Sequence, residues 1–329
     1  MALRSCSFHV ELFEPAALQW AGWHYAQRIY QHLLNAEAWS YNSWNIFYDA
    51  FPNEISRQQE FHIYQSEQWS YEPVQLLSMA DRVAKLDPSF ITLLCVRDFH
   101  LTFEHLKALI GIRTLAALVL EQARPGGEYG VNARDFLNFG RAVRERKAFQ
   151  QLRLLVLCDF GLGRKAVLDG VSGVPSLRLV GLQNSKLGVS TSMARDIAEG
   201  WKFMTDSELE LRGLSPSAFD PQSIWIKSYL TSTRKIQQLY NLTKVLDQTS
   251  RVSAEEDRSV SLTYGGWANR SIYEATAWFI RDYRQEVSEN SKAKQPATSS
   301  TKGEGNLAKK RKIRPTKQMD VGSFLGAFG

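Results

Sequence analysis

Four short apolar runs in the middle of the chain share one spacing of hydrophobic and polar positions. They are Ile91-x-x-Leu94-x-Val96, Leu115-x-x-Leu118-x-Leu120, Leu152-x-x-Leu155-x-Leu157 and Leu177-x-x-Val180-x-Leu182. Their fourth-position anchors, Leu94, Leu118, Leu155 and Val180, lie 24, 37 and 25 residues apart. The turn-rich stretch Ala123-Arg-Pro-Gly-Gly-Glu accounts for much of the excess in the long interval. Runs this short predict strands, and each is followed by a stretch that reads as helix, as at Thr102 to Ile110 and Ala133 to Phe149. Before the runs, Ala16 to Leu34 and Val74 to Leu86 fit amphipathic helices, while Tyr41 to Tyr71 lacks a clear period and reads as irregular. After them, Pro221 to Leu246 and Ser271 to Glu286 carry apolar residues at helical spacing, including Ile224, Tyr229, Ile236, Leu239 and Tyr240. The acidic Glu255-Glu256-Asp257 between these two segments reads as a solvated loop.

Over roughly residues 88 to 190 the repeated L-x-x-L-x-L pattern resembles a leucine-rich repeat. That resemblance implies one parallel strand and one return segment per unit. The ninth position of each unit, usually Asn or Cys, is Phe99, Ala123, Phe160 and Ser185, so no asparagine ladder can form. The inward positions read Leu93, Cys95, Arg97; Ala117, Val119, Glu121; Leu154, Val156, Cys158; and Leu179, Gly181, Gln183. Strands apolar on both faces belong to a parallel sheet covered on both sides. Two α/β architectures fit: a degenerate leucine-rich repeat whose inner face is covered, or a layer of βαβ units. In the first, the cover comes from aromatic side chains of residues 1 to 85 or from the helices after residue 190. The expected organisation is an aromatic-rich helical region (1–85), a leucine-rich-repeat-like parallel-strand region (86–190), a helical region (191–287) and a disordered basic tail (288–329).

Composition supports a globular body: 44% of the residues are apolar and 12% aromatic, with 16 of the 38 aromatic residues before position 85. Charge changes the picture more. The formal net charge is +6, and Ser288 to Gly329 alone carries nine Lys and Arg against three acids, so the body before it is neutral. The basic balance therefore reports a tail and not a basic nucleic-acid-binding domain; nucleic-acid contact is expected only weakly, through that tail. No apolar run reaches the roughly 18 residues of a membrane-spanning helix. The opening MALRSCSFHVELFEP has no h-region and carries acids early, unlike a secretory signal or a mitochondrial presequence. Cys6, Cys95 and Cys158 make neither a disulfide framework nor a metal-like spacing, which points to a reducing compartment.

Candidate chemistry in the body is thin. Gly161-Leu-Gly163, after an expected strand, is the nearest approach to a dinucleotide loop, with Ala166 at the third glycine's position. The supporting acid some twenty residues on is absent, where the chain reads Leu182-Gln183-Asn184, so a tight strand-to-helix turn is expected instead. The six histidines (His9, His24, His32, His62, His100, His105) complete no metal constellation. Asp49-Ala-Phe-Pro52-Asn-Glu-Ile55 resembles the opening of an F-box, a module that would make the chain a substrate adaptor of a ubiquitin ligase. No catalytic, cofactor-binding or metal-binding residue is expected.

The tail carries two short signals. Lys309-Lys310-Arg311-Lys312 with Arg314 has the form of a monopartite nuclear localisation signal, recognised by an import receptor through repeated cation capture. Gln318-Met-Asp-Val321-Gly-Ser-Phe324-Leu325 resembles the PIP box, by which proteins dock on the replication sliding clamp PCNA. That resemblance implies that Gln318 enters a polar pocket and that Val321 and Phe324 form an apolar plug; Leu325 stands where a second aromatic is usual. Val321, Phe324, Leu325 and Phe328 also fall at i, i+3, i+4 and i+7, the spacing of any helix-in-groove anchor. The expectation is a non-enzymatic nuclear scaffold or protein-interaction protein. The F-box-type adaptor and an enzyme without a linear motif are the alternatives.

Overall fold

The alternation of apolar runs with amphipathic stretches folds as strand and helix in a computed structural model of the protein. Residues 2–36, 38–63, 73–123, 130–183, 197–216, 219–227, 230–246, 258–265 and 276–282 are described. They fall in the body, Met1–Glu286; the tail signals at Lys309–Lys312, Arg314, Gln318, Val321, Phe324, Leu325 and Phe328 lie outside the described residues. The chain opens with α1 (Ala2–Phe8), α2 (Pro15–Ala21), α3 (Trp23–Asn35) and α4 (Tyr41–Ala50), then β1 (Gln58–Ile63) and α5 (Pro73–Ala84). Strict alternation follows: β2 (Ile91–Phe99), α6 (Phe103–Leu109), β3 (Leu115–Gln122), α7 (Ala133–Glu145), β4 (Leu154–Cys158), α8 (Arg164–Val171) and β5 (Leu179–Gln183). The remainder supplies β6 (Trp201–Phe203), α9 (Asp206–Leu211), α10 (Pro221–Ile226), α11 (Ser232–Leu246), β7 (Ser259–Gly265) and β8 (Ala277–Arg281).

Local chemistry sets the element ends. Asn132 opens α7 with a capping box: its side chain accepts the Asp135 backbone N–H, and Asp135 accepts the Asn132 N–H in return. Thr102 and His105 play the same reciprocal roles at α6. Gly22, at φ 82°, takes a backbone conformation closed to most side chains and separates α2 from α3 within what the pattern presents as one helix.

All eight strands join one sheet in the order β1-β7-β2-β3-β4-β5-β8-β6, parallel except that β8 runs against both its neighbours. The repeat anchors stand in register: Leu94 pairs with Leu118, Leu118 with Leu155, and Leu155 with Val180. One face of the sheet, with Leu94, Val96, Leu118, Leu120, Leu155 and Leu157, packs on the helices α5 to α8 and continues into the core of α2 to α4. The other face, with Leu93, Cys95, Ala117, Val119, Leu154, Val156 and Leu179, packs on Trp225 of α10 and on Ile236, Leu239 and Tyr240 of α11. Leu93, Val119, Leu154 and Val156 are at most 2% exposed. This second face of the sheet is thus covered, and α10 and α11 supply the cover.

Three expectations need correction. The region 191–287, expected to be helical, contains β6, β7 and β8 beside its helices. Within it the described part of Ser271 to Glu286 contains the strand β8, a run of four apolar residues closed by Arg281, whose burial on both faces fits either period until its pairing decides. Tyr41 to Tyr71, expected to be irregular, holds α4, capped by the Ser40 hydroxyl on the Ser43 N–H at 3.2 Å, and the edge strand β1. Residues 64–71 lie outside the described residues. The segment Asp49 to Ile55 leads from α4 through a turn into β1, not into a second helix.

Candidate functional site

Toward the carboxyl ends of β2 to β5 the apolar pattern of this face gives way to Arg97, Glu121 and Gln183, with Cys158 among them. Glu121 pairs in register with Cys158, and Cys158 with Gln183, so the ends of β3, β4 and β5 place these three side by side. Arg97, near the end of β2, extends the row through its Nε, which donates to Glu121 Oε2 at 3.1 Å. This polar row borders the carboxyl ends of the parallel strands, where open α/β sheets place their ligands.

The roof over the row is pinned by polar contacts from α10 and α11. Arg97 Nη1 donates to Ser232 Oγ at 2.9 Å, and Thr233 Oγ1 donates to Glu60 Oε2 of β1 at 2.8 Å. Trp225 Nε1 donates to Gln183 Oε1 at 3.1 Å, and Trp278 Nε1 of β8 donates to Gln222 Oε1 at 3.0 Å. Gly181 has no side chain because the Trp278 ring lies over it; a Cβ there would stand 2.6 Å from a ring carbon. Lys235, only 3% exposed, donates from Nζ to the Trp225 carbonyl at 2.7 Å.

These groups have limited chemistry. Burial pushes the Cys95 thiol up to about 12, and burial followed by the Glu121 carboxylate raises the Cys158 thiol well above its ordinary value. Both therefore stay protonated near neutrality and are poor nucleophiles or metal ligands. Burial, then the Arg97 guanidinium, lowers the Lys235 amine below the usual lysine range. Among the described residues no group of three or more His, Cys, Asp or Glu could hold a metal ion.

The Gly161-Leu-Gly163 loop behaves as a turn. Asp159 (φ 60°) and Gly161 (φ 65°) reverse the chain after β4, and Gly163 is the N-cap of α8. The cleft beside it, lined by Leu157, Phe160, Arg164, Leu182 and Gln183, encloses about 30 Å³. That is room for about two waters and far too little for a dinucleotide. His105 is buried and accepts the Thr102 backbone N–H at its Nδ1 (3.0 Å), which is a capping role.

A second charged group joins the end of the chain's body to its N-terminal helices. The Arg258 guanidinium lies over the rings of Tyr48 (4.2 Å) and Trp44 (5.1 Å), pairs with Asp49 at 3.1 Å and bonds Asn45. Burial, then Asp87, raises the nearby Tyr41 hydroxyl to about 12. Elsewhere in the N-terminal region Leu12, Trp20 and Tyr25 are exposed, Trp20 at 92%.

Sequence reasoning located the inward positions but missed the roof residues Ser232 and Lys235. The available signal was two polar residues on the stripe that also carries Ile236, Leu239 and Tyr240. No helix among the described residues is long and apolar enough to cross a membrane. Comparison with protein-family models, with curated proteins and with solved structures finds no match to this chain.

Proposed function

We propose that the chain is a non-enzymatic nuclear scaffold: a degenerate leucine-rich-repeat-like body that carries a tail with an import signal and a terminal docking peptide. The observation that carries this reading is the separation of charge from fold. The body is neutral, and the whole net charge of +6 lies in the last 42 residues together with both short motifs. The in-register anchors Leu94, Leu118, Leu155 and Val180, in four strands adjacent in chain order, support the repeat-like description. The inner face that such repeats offer to partners is filled by α11, which favours partner contact elsewhere, in the first place through the tail. The polar row supports the non-enzymatic part, because its Arg97 and Gln183 are engaged in holding the roof to the sheet.

In this reading Lys309 to Lys312 with Arg314 engage an import receptor. Gln318, Val321, Phe324, Leu325 and Phe328 then dock in the groove of a nuclear protein, the sliding clamp PCNA among the candidates. Affinity purification of the full chain beside a chain truncated after Ser288 tests it. Nuclear partners should copurify with the first and be lost from the second. Identical partner sets would move the binding surface to the body and refute the tail-centred reading.

A further inference from the structure

Among the described residues, Lys235 is buried without a counter-charge. An ammonium has three N–H donors. Among the described residues the acceptor it meets is the Trp225 carbonyl at 2.7 Å, with the Trp225 ring centroid 5.9 Å away, and no carboxylate forms an ion pair with it. The neighbouring charges do not balance it. Glu121 is paired with Arg97, and Glu60, held by Thr233, has Arg234 at 3.9 Å. Lys235 is therefore the surplus cation of the cluster. The first turn of the 15-residue α11 adds the positive end of a helix dipole on the same side. A buried unpaired ammonium is costly, and a bound anion relieves that cost while filling its two remaining donors.

We propose that Lys235, Arg97 and Ser232 form a binding site for a small oxyanion, a carboxylate or phosphate group that enters over the carboxyl edge of the sheet. The approach lies along Arg97 and Glu121, whose side chains keep 18% and 11% of their exposure. Lys235 supplies the charge and Arg97 a planar donor set suited to two oxygens. Ser232 adds a hydroxyl that accepts from Arg97 and lies in hydrogen-bond reach of the Cys95 sulfur, a weak acceptor that an anion would replace. Glu121 stands against the ligand's charge and limits the site to a group that Lys235 and Arg97 together outweigh. This goes beyond the scaffold reading and does not depend on it.

The test uses the full chain, with thermal unfolding followed in sodium phosphate and in sodium acetate, each at an ionic strength matched with sodium chloride. The expected result is a saturable rise in Tm with at least one anion, abolished in Lys235→Met. A response to phosphate alone identifies a phosphate-bearing ligand, and one to acetate alone a carboxylate. No rise with either anion, or a rise undiminished in Lys235→Met, overturns the site. If that variant does not fold, acetylation of the native chain by acetic anhydride decides instead. Phosphate or acetate should slow modification of Lys235 at least tenfold relative to Lys107, which is 40% exposed. Equal slowing of the two lysines, or none, rejects the proposal.

Discussion

The helices α7 and α8 meet backbone to backbone, and one methyl group should be enough to part them. A Cβ built on Gly140 of α7 would stand 1.8 Å from the Gly170 carbonyl oxygen of α8, 2.8 Å from its carbon and 3.3 Å from its Cα. The crossing is tight in both directions, since a Cβ on Gly170 would reach the Phe136 ring and carbonyl at 2.9 Å. To restore ordinary contact the helices must separate by about 1.5 Å, and no rotamer change helps, because the obstructing atoms are backbone. Overpacking of this kind costs about 1–3 kcal/mol, and a rigid clash falls at the upper end. Against it, Gly→Ala in a helix interior gains about 1 kcal/mol of propensity. The net expectation for Gly140→Ala is a loss of about 2 kcal/mol, or a fall in Tm of roughly 3–4 °C for a body of this size. Urea unfolding followed by tryptophan fluorescence measures it, with an unchanged m-value showing that the denatured state is unaffected. Gly163→Ala is the control: nothing lies within 4 Å of its Cβ position, so it should stay within about 1 kcal/mol of the parent. A Gly140→Ala variant as stable as the parent would mean that α7 and α8 do not touch through their backbones.

Four further outcomes follow from the same structure and sequence. Arg97→Met leaves the buried Glu121 carboxylate without its guanidinium and should cost about 3 kcal/mol by chemical denaturation; Arg97→Met/Glu121→Leu should recover most of the loss. Lys235 has a folded-state pKa below its unfolded value, so its burial penalty is full below that folded value and fades as pH rises toward the unfolded one. In chloride buffer, Lys235→Met should therefore gain stability over the parent at neutral pH, and the gain should shrink through the alkaline range; a pH-independent difference contradicts the burial argument, which rests on Trp225 and Arg97 as the groups around the amine. Replacing Lys309, Lys310, Arg311 and Lys312 with Ala should spread a fluorescent fusion into the cytoplasm, and unchanged nuclear accumulation would remove the cluster as the signal. A peptide of residues 309–329 should bind the sliding clamp and weaken about tenfold or more with Phe324→Ala, since burying one such anchor is worth about 1.5–3 kcal/mol; binding indifferent to both Gln318→Ala and Phe324→Ala contradicts the PIP-box resemblance.

The central strands were legible because their signal is redundant. Each anchor is flanked by further apolar residues at fixed spacing, and burial on both faces leaves little else for such runs to do. The outer strands were not. Gln58-Gln-Glu-Phe-His-Ile63 is polar because β1 is an edge strand, and its pairing with β7 is a tertiary fact with no local trace. Ala277 to Arg281 offers too few residues to tell a period of two from one of 3.6, and only its antiparallel neighbours make it a strand. The candidate site was half visible. Arg97, Glu121, Cys158 and Gln183 occupy a position the repeat defines, whereas Ser232 and Lys235 become its neighbours only when α11 crosses the sheet.

The placement of β7 also governs the order in which this chain can be built. Gln58 pairs with Ser259 and Ile91 pairs with the same Ser259, so β7 is the seam between β1 and β2. While the chain emerges from a ribosome, β2 to β5 can assemble outward as each is made. Strand β1 must wait with an unmatched edge until residue 265 has cleared the exit tunnel. The same delay holds for the clamp of Arg258 on Trp44 and Tyr48, so the aromatic N-terminal helices, made first, are among the last to be locked. A nascent chain stalled before Ser259 therefore presents an open strand and an apolar helical surface together, the combination that chaperones recognise and that aggregates when they are scarce.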